Sequence, residues 1–177
     1  MKLTSLALLT TLAAATAAPR VTRAVANLSP TRGSAVSGRI GFTRTEGGIN
    51  FSAEIQGLAA GAHGLHIHEL GDCSAPDASS AGGHFNPENE RHGGPADEHR
   101  HLGDLGNVVA DKKGWATLEG TDARITLDGP QGILGRSVIV HSTADDFKTQ
   151  PTGNSGGRLA CGVIGVAGSD TTTGTGS

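Results

Sequence analysis

The sequence predicts an all-β fold, an antiparallel barrel or sandwich of about eight short strands with two long loops. Three observations point to it. Apolar and polar residues alternate with a period of two along much of the chain, and helical spacing is nearly absent. Glycine supplies 28 of 177 residues, tyrosine is absent and aromatics are few, which suits many turns joining short strands. Finally, residues 70–104 and 142–158 show no period, and structureless loops of that length inside a domain are uncommon and usually functional.

The N-terminus reads as a targeting segment. Met1 and Lys2 give a short positive start, Leu3 to Leu12 an apolar core, and Ala13 to Ala18 small residues of the A-x-A type. The apolar run is shorter than the roughly 20 residues a membrane span needs. A secretory signal peptide is expected over residues 1–17, with cleavage after Ala17 because Pro19 disfavours cutting directly after Ala18. The protein is then exported, to a periplasm or the extracellular space. Residues 18–167 are expected to form one domain, and residues 168–177, Gly, Ser and Thr with one Asp, a disordered tail that cannot bury a core. The net charge is −3, and removing Lys2 with the signal leaves −4. No basic surface for nucleic acid and no second hydrophobic segment for a membrane is evident.

The clearest strand is Ile49 to Gln56, where Ile49, Phe51, Ala53 and Ile55 alternate with polar residues. Arg39 to Thr43 alternates more weakly, and the Glu46-Gly47-Gly48 turn joins the two as a hairpin. Arg23 to Leu28 precedes them. Later candidates are Gly64 to His68, Gly106 to Ala110, Gly114 to Glu119, Arg124 to Leu127, Ser137 to His141 and Ala160 to Val166. Asp111-Lys112-Lys113-Gly114 and Asp128-Gly129-Pro130 carry turn chemistry between them. There are two cysteines, Cys73 and Cys161. In an exported chain an even count points to a disulfide, here closing a loop of about 90 residues and stabilising by about 4–5 kcal/mol in the chain-entropy view.

Seven of the eight histidines lie between His63 and His101, and His141 ends a predicted strand. In Gly64 to His68, Leu65 and Ile67 point to one face. His66 and His68 share the other, about 7 Å apart at their backbones, so both can reach one ion above the strand. Val138 and Val140 likewise face inward and send His141 to the same exterior side. The first long loop adds His84, His92, His101 and Asp104, three imidazoles and a carboxylate that make a complete tetrahedral set for zinc. His63 is expected to bond backbone and His99 to be exposed.

Several segments together resemble the copper–zinc superoxide dismutase family. They are His63 to Glu69 (HGLHIHE), Gly83 to Pro87 (GHFNP), His92 to Pro95 (HGGP), Arg100 to Asn107 (RHLGDLGN), Val140-His141, and Gly153 to Gly162 (GNSGGRLACG). The resemblance covers about Arg23 to Val166. It implies an eight-stranded Greek-key barrel of immunoglobulin-like sandwich type, and an enzyme that dismutes superoxide to dioxygen and hydrogen peroxide with copper and zinc as cofactors. By matching position it places copper on His66, His68, His84 and His141, and zinc on His84, His92, His101 and Asp104, with His84 shared as an imidazolate. It implies that His84 also relays a proton, that Arg158 docks the superoxide anion, that Asp145 links ligands of the two sites, and that Cys73 and Cys161 form the family disulfide. The segment from Asp146 to Gly157 is shorter than in many members and lacks their paired glutamates, with Lys148 its only cation. The ending Gly162 to Val166 resembles members that dimerise through this strand, so a homodimer is expected. Two other readings fit the same barrel, a copper-delivery domain and a non-catalytic extracytoplasmic metal-binding protein, and neither calls for the full ligand set together with Arg158.

Overall fold

The computed structural model describes residues 20–168. The predicted signal segment 1–17, and the predicted tail beyond its first residue, lie outside the described residues. The strands are β1 (Arg23–Pro30), β2 (Ser37–Thr45), β3 (Gly48–Gln56), β4 (Gly61–His68), β5 (Asp104–Ala110), β6 (Ala116–Asp122), β7 (Ser137–His141), β8 (Arg158–Val163) and the two-residue β9 (Gly165–Val166). One turn of 3-10 helix, Ser79–Ala81, interrupts the first long loop.

Hydrogen-bonded neighbours run β5-β4-β7-β8-β1-β2-β3-β6, with β9 beside β1. The two ends of that order, β5 and β6, lie against each other, so the sheet nearly closes into an eight-stranded antiparallel barrel. The chain crosses the barrel from β3 to β4 and again from β6 to β7, as Greek-key connections do. Period-two patterning explains the core. Ile49, Phe51, Ala53 and Ile55 of β3 are buried while their alternates face water. They pack with Ile40 and Phe42 of β2, Leu65 and Ile67 of β4, and Val138 and Val140 of β7. Opposite Phe51 stands Gly120, where a Cβ would collide with the Phe51 ring, so a larger residue there would force that ring to shift.

Two expected strands are altered. Arg124 to Leu127 is not a strand, only a bridge between Thr126 and Gly132. The Asp122 carboxylate accepts from the Arg124 and Ile125 amides at 2.8 and 3.2 Å, and this local capping diverts the backbone from a ladder. Ala160 to Val166 is broken at Ile164, whose backbone turns to bond Arg136 and Gly135 instead. Asp104 opens β5 rather than closing the loop, because its backbone pairs with His66.

The expected bridge is present: Cys73 and Cys161 are disulfide-bonded, with Cα atoms 5.8 Å apart and 88 residues between them. Around it Ala78, Ala81 and Ile139 form a small apolar cluster that seats the first long loop on the outer face of the sheet.

Candidate metal centre

Backbone pairing puts each histidine in place. A bulge between Gly64 and His66 in the β4–β5 pairing sets His66 opposite Asp104. His84, though in a loop, is bridged to His68 as a strand neighbour would be, fixed by Phe85 N–H donating to Ile67 O at 2.8 Å and Glu69 N–H to Gly83 O at 2.9 Å. On the far side, a second register shift between Val140 and His141 sets His141 opposite Arg158. The predicted outward face of β4 and β7 is therefore not wet. His66 and His68 are 0 % and 1 % exposed, because the two long loops roof that face.

Two four-residue clusters result, His66, His68, His84 and His141, and His84, His92, His101 and Asp104. Each offers four ligand atoms within 4.8 Å of one another, every residue is buried, and His84 belongs to both. In the first cluster the proton positions follow from the acceptors. His68 Nδ1 donates to Gly82 O at 2.9 Å and His141 Nδ1 to Gly156 O at 3.4 Å. Their Nε2 atoms are then both bare lone pairs, yet they face each other at 3.4 Å. His66 Nδ1 and His84 Nε2 are buried with no hydrogen-bond partner. Converging lone pairs with no proton between them suit a cation and little else.

In the second cluster three nitrogens surround one oxygen. Asp104 Oδ1 lies 2.8 Å from His84 Nδ1, 3.1 Å from His92 Nδ1 and 3.3 Å from His101 Nδ1. Asp104 Oδ2 is held by the backbone amides of His101 at 3.0 Å and Gly93 at 3.2 Å. Three imidazoles and one carboxylate, closed to further ligands, match the donor set and number that zinc takes. The residues present fit both metals.

Asp145 joins the clusters. Its Oδ2 accepts from His66 Nε2 and its Oδ1 from His92 Nε2, both at 2.8 Å, which leaves Nδ1 of each ring free to face its cluster. Its own backbone is clasped by Asn107, whose Oδ1 accepts from Asp145 N–H at 2.8 Å and whose Nδ2 donates to Asp145 O at 2.9 Å. A Cβ on Gly153 would collide with the Asp145–His92 bond.

The electrostatics are those of a site built to hold positive charge. Burial first, then the imidazoles around it, lowers His68 and His141 to about 2 and keeps both rings neutral. Burial likewise lowers His84 to about 4, against the opposing pull of Asp104. Burial would also lower His92, but its bonds to Asp104 and Asp145 outweigh it and raise this ring to about 9. Burial disfavours the charged carboxylate of Asp104, and hydrogen bonds from His101, His84 and His92 overcome this and hold it well below the ordinary carboxylate range. Asp145 is held low in the same way by His66 and His92.

Residues 36–164, well over half of the chain, match the sequence profile of the family described as copper/zinc superoxide dismutase (SODC). The chain belongs to the copper/zinc superoxide dismutase family. It is 43% identical over 141 residues to an extracellular superoxide dismutase [Cu-Zn] of Brugia pahangi, covering 75% of this chain and 70% of that protein. It also superposes on the crystal structure of the clock protein EA4 with a TM-score of 0.78 and 43% identity, over 86% of this chain and all of that one. Family membership makes it a superoxide-dismuting enzyme that uses copper and zinc, and the two buried clusters are in keeping with that.

The structure brings together all the ligand residues expected from the sequence, with Asp145 between them. Arg158 stands at the rim, its Nη1 donating to Ala78 O at 2.6 Å and its Nη2 to Gly82 O at 2.7 Å. His63 bonds backbone, with ring nitrogens 2.9 Å from the carbonyls of His141 and Ala59. His99 is exposed beside Glu90. Asn107, Gln150 and Phe147 carry no role in the sequence reading. Of these three, only Asn107 falls inside a motif of the family.

Proposed function

We propose that this enzyme is exported and dismutes superoxide at a copper site formed by His66, His68, His84 and His141, next to a zinc site formed by His84, His92, His101 and Asp104. The observation that carries this reading is the pair of buried four-ligand clusters sharing one imidazole. Two superoxide anions and two protons give dioxygen and hydrogen peroxide. Copper, when bound, supplies the one-electron exchange this requires, and zinc supplies charge without redox chemistry.

The chain's own residues do the rest. His84, lodged between Asp104 and the first cluster, is the residue that gives up its ring protons to serve both sites. Its buried Nε2 is the atom at which a proton can be held for the peroxide product. Arg158 presents a permanently charged, planar fork whose two anchored nitrogens leave further N–H groups for a small anion. Asp145 and the Gly82 carbonyl fix the tautomers of His66, His92 and His68, so each ring offers the correct nitrogen. Exposed Val163 and Val166, flanking the β8–β9 break, are the apolar residues through which we propose that two copies pair. The Cys73–Cys161 bond suits an oxidising compartment, in line with export.

The direct test is metal content by mass spectrometry on protein from a copper-replete host, joined to stopped-flow decay of superoxide. One copper and one zinc per chain with fast decay is the expected result. Full metal content without decay would leave the non-catalytic metal-binding reading in its place.

A further inference from the structure

The ligand residues are not all held alike. His66, His68 and His141 lie in strands, His84 is paired to β4, and Asp104 opens β5. His101 is fixed through Asp104 and through Arg100, whose Nη1 donates to His101 O at 2.9 Å. His92 lies in no strand and pairs with none, and the nearest such anchor is on its neighbour, Gly93 N–H donating to Asp104 Oδ2 at 3.2 Å. Instead, both polar groups of its backbone go to one side chain on the other loop. His92 N–H donates to Gln150 Oε1 at 2.8 Å, and Gln150 Nε2 donates to His92 O at 2.9 Å.

A carboxamide offers one acceptor and one donor side by side, the same pair a neighbouring strand would present. We infer that Gln150 is a positioning residue for the zinc-side cluster, standing in for a strand beside His92 and tying the zinc loop to the loop over the copper side. This rests on the reading of His92 as a zinc ligand given above.

The segment that carries Gln150 is braced to do this. Asp146 N–H donates to Gly153 O at 2.9 Å, closing residues 146–153 on themselves. The Asp146 carboxylate accepts from the amides of Lys148 at 2.9 Å and Thr149 at 2.8 Å and from the Thr149 hydroxyl at 2.6 Å. Gln150 Nε2 also reaches Lys148 O at 3.2 Å, which fixes its own rotamer. Phe147 adopts a left-handed backbone (φ 61°), rare for a bulky residue. There its N–H donates to Asp145 Oδ1 at 2.7 Å, and its ring lies against Gly94, where a Cβ would come within 3.3 Å. The short loop thus meets the zinc loop at three points, Asp145 on the His92 ring, Gln150 on the His92 backbone and Phe147 on Gly94. A short segment suffices because Asp146, Thr149 and Gln150 spend their side-chain polar groups within it or on the zinc loop.

Partners that orient a metal ligand typically matter 10–100-fold in metal affinity, and that sets the scale of the test. Zinc transfer from the fully loaded protein to a colorimetric chelator is followed for the parent, Gln150→Ala, Gln150→Glu and Lys148→Ala. The electronic spectrum of Co²⁺ placed in the zinc site is recorded for each. Gln150→Ala should release zinc about tenfold faster and shift the Co²⁺ bands. Gln150→Glu, which can accept from His92 N–H but not donate to His92 O, should fall between. Lys148→Ala should match the parent, since only its backbone is used. Co²⁺ spectra separate positioning from general loosening, because a merely destabilised fold leaves the bands of the loaded site in place. Parent-like zinc release and Co²⁺ bands in Gln150→Ala would overturn the inference. If instead His92→Ala kept zinc as tightly as the parent, the zinc-site reading itself would fail, separately from the clamp.

Discussion

His68 and Arg158 donate to the same acceptor, the carbonyl oxygen of Gly82, from His68 Nδ1 at 2.9 Å and Arg158 Nη2 at 2.7 Å. One peptide group therefore fixes the tautomer of a cluster histidine and the position of the guanidinium beside it. That peptide stands at the end of the 3-10 turn, which the Cys73–Cys161 bond and its apolar cluster hold against the sheet.

Arg158 and Lys148 should then contribute in different ways. Lys148 is exposed on the loop and should act only through the longer-range field, which is screened over about 10 Å at 0.1 M salt. Lys148→Ala should lower the rate modestly at low salt, with the loss fading as salt rises. Arg158→Ala should cost about tenfold or more at every ionic strength, because positioning at contact distance is not screened away. Stopped-flow superoxide decay across a salt series decides it, and a parent-like Arg158→Ala would remove the docking role.

Because His84 lies in both clusters, its loss should damage both. His84→Ala should lower activity severely, change the copper absorption spectrum and weaken zinc retention together. His99→Ala, at an exposed ring paired only with Glu90, should change none of these. A normal copper spectrum with full activity in His84→Ala would contradict a shared ligand.

Removing the disulfide should cost about 2–5 kcal/mol. Cys73→Ser should show this as a lower denaturant midpoint and as faster amide exchange around the 3-10 turn at Ser79–Ala81. Free thiols at Cys73 and Cys161 in the mature exported protein would refute the bridge.

The metal-free protein should be most stable near neutral pH. His68 and His141 have folded values of about 2 against an ordinary 6.5, so below pH 6.5 the unfolded chain binds protons that the folded chain refuses. Asp104 and Asp145, held low, add stability that is present above about pH 4 and lost as pH falls further. His92, raised to about 9, works in the opposite sense. Its contribution is full below 6.5 and disappears as pH rises through 9. The unfolding free energy of the metal-free protein, from urea titrations, should fall between pH 6.5 and 4 by an amount on the order of a few kcal/mol, and more gently from 6.5 to 9. A flat profile on the acid side would mean that the histidines are not buried as described.

Sequence by itself determined the barrel and the residues that gather in its two buried clusters. Period two in Ile49 to Gln56 is a local consequence of strand geometry, and the spacing His66-x-His68 puts two rings on one face whatever the rest of the chain does. The motifs around His84, His92, His101 and Asp104 named the second cluster in the same way. Tertiary structure alone decided what the alternation could not carry. The outward face of β4 is polar by pattern, yet His66 is fully buried, because burial depends on loops that roof it from far along the chain. Arg124 to Leu127 has a strand's composition, but the Asp122 carboxylate captures its amides. The Asn107 clasp on Asp145 joins residues 38 positions apart, and the Gln150 clasp on His92 joins residues 58 apart. Each is a side chain doing the work of a backbone. Such pairings leave no periodicity in sequence, because they depend on where two loops meet and not on the local conformation of either.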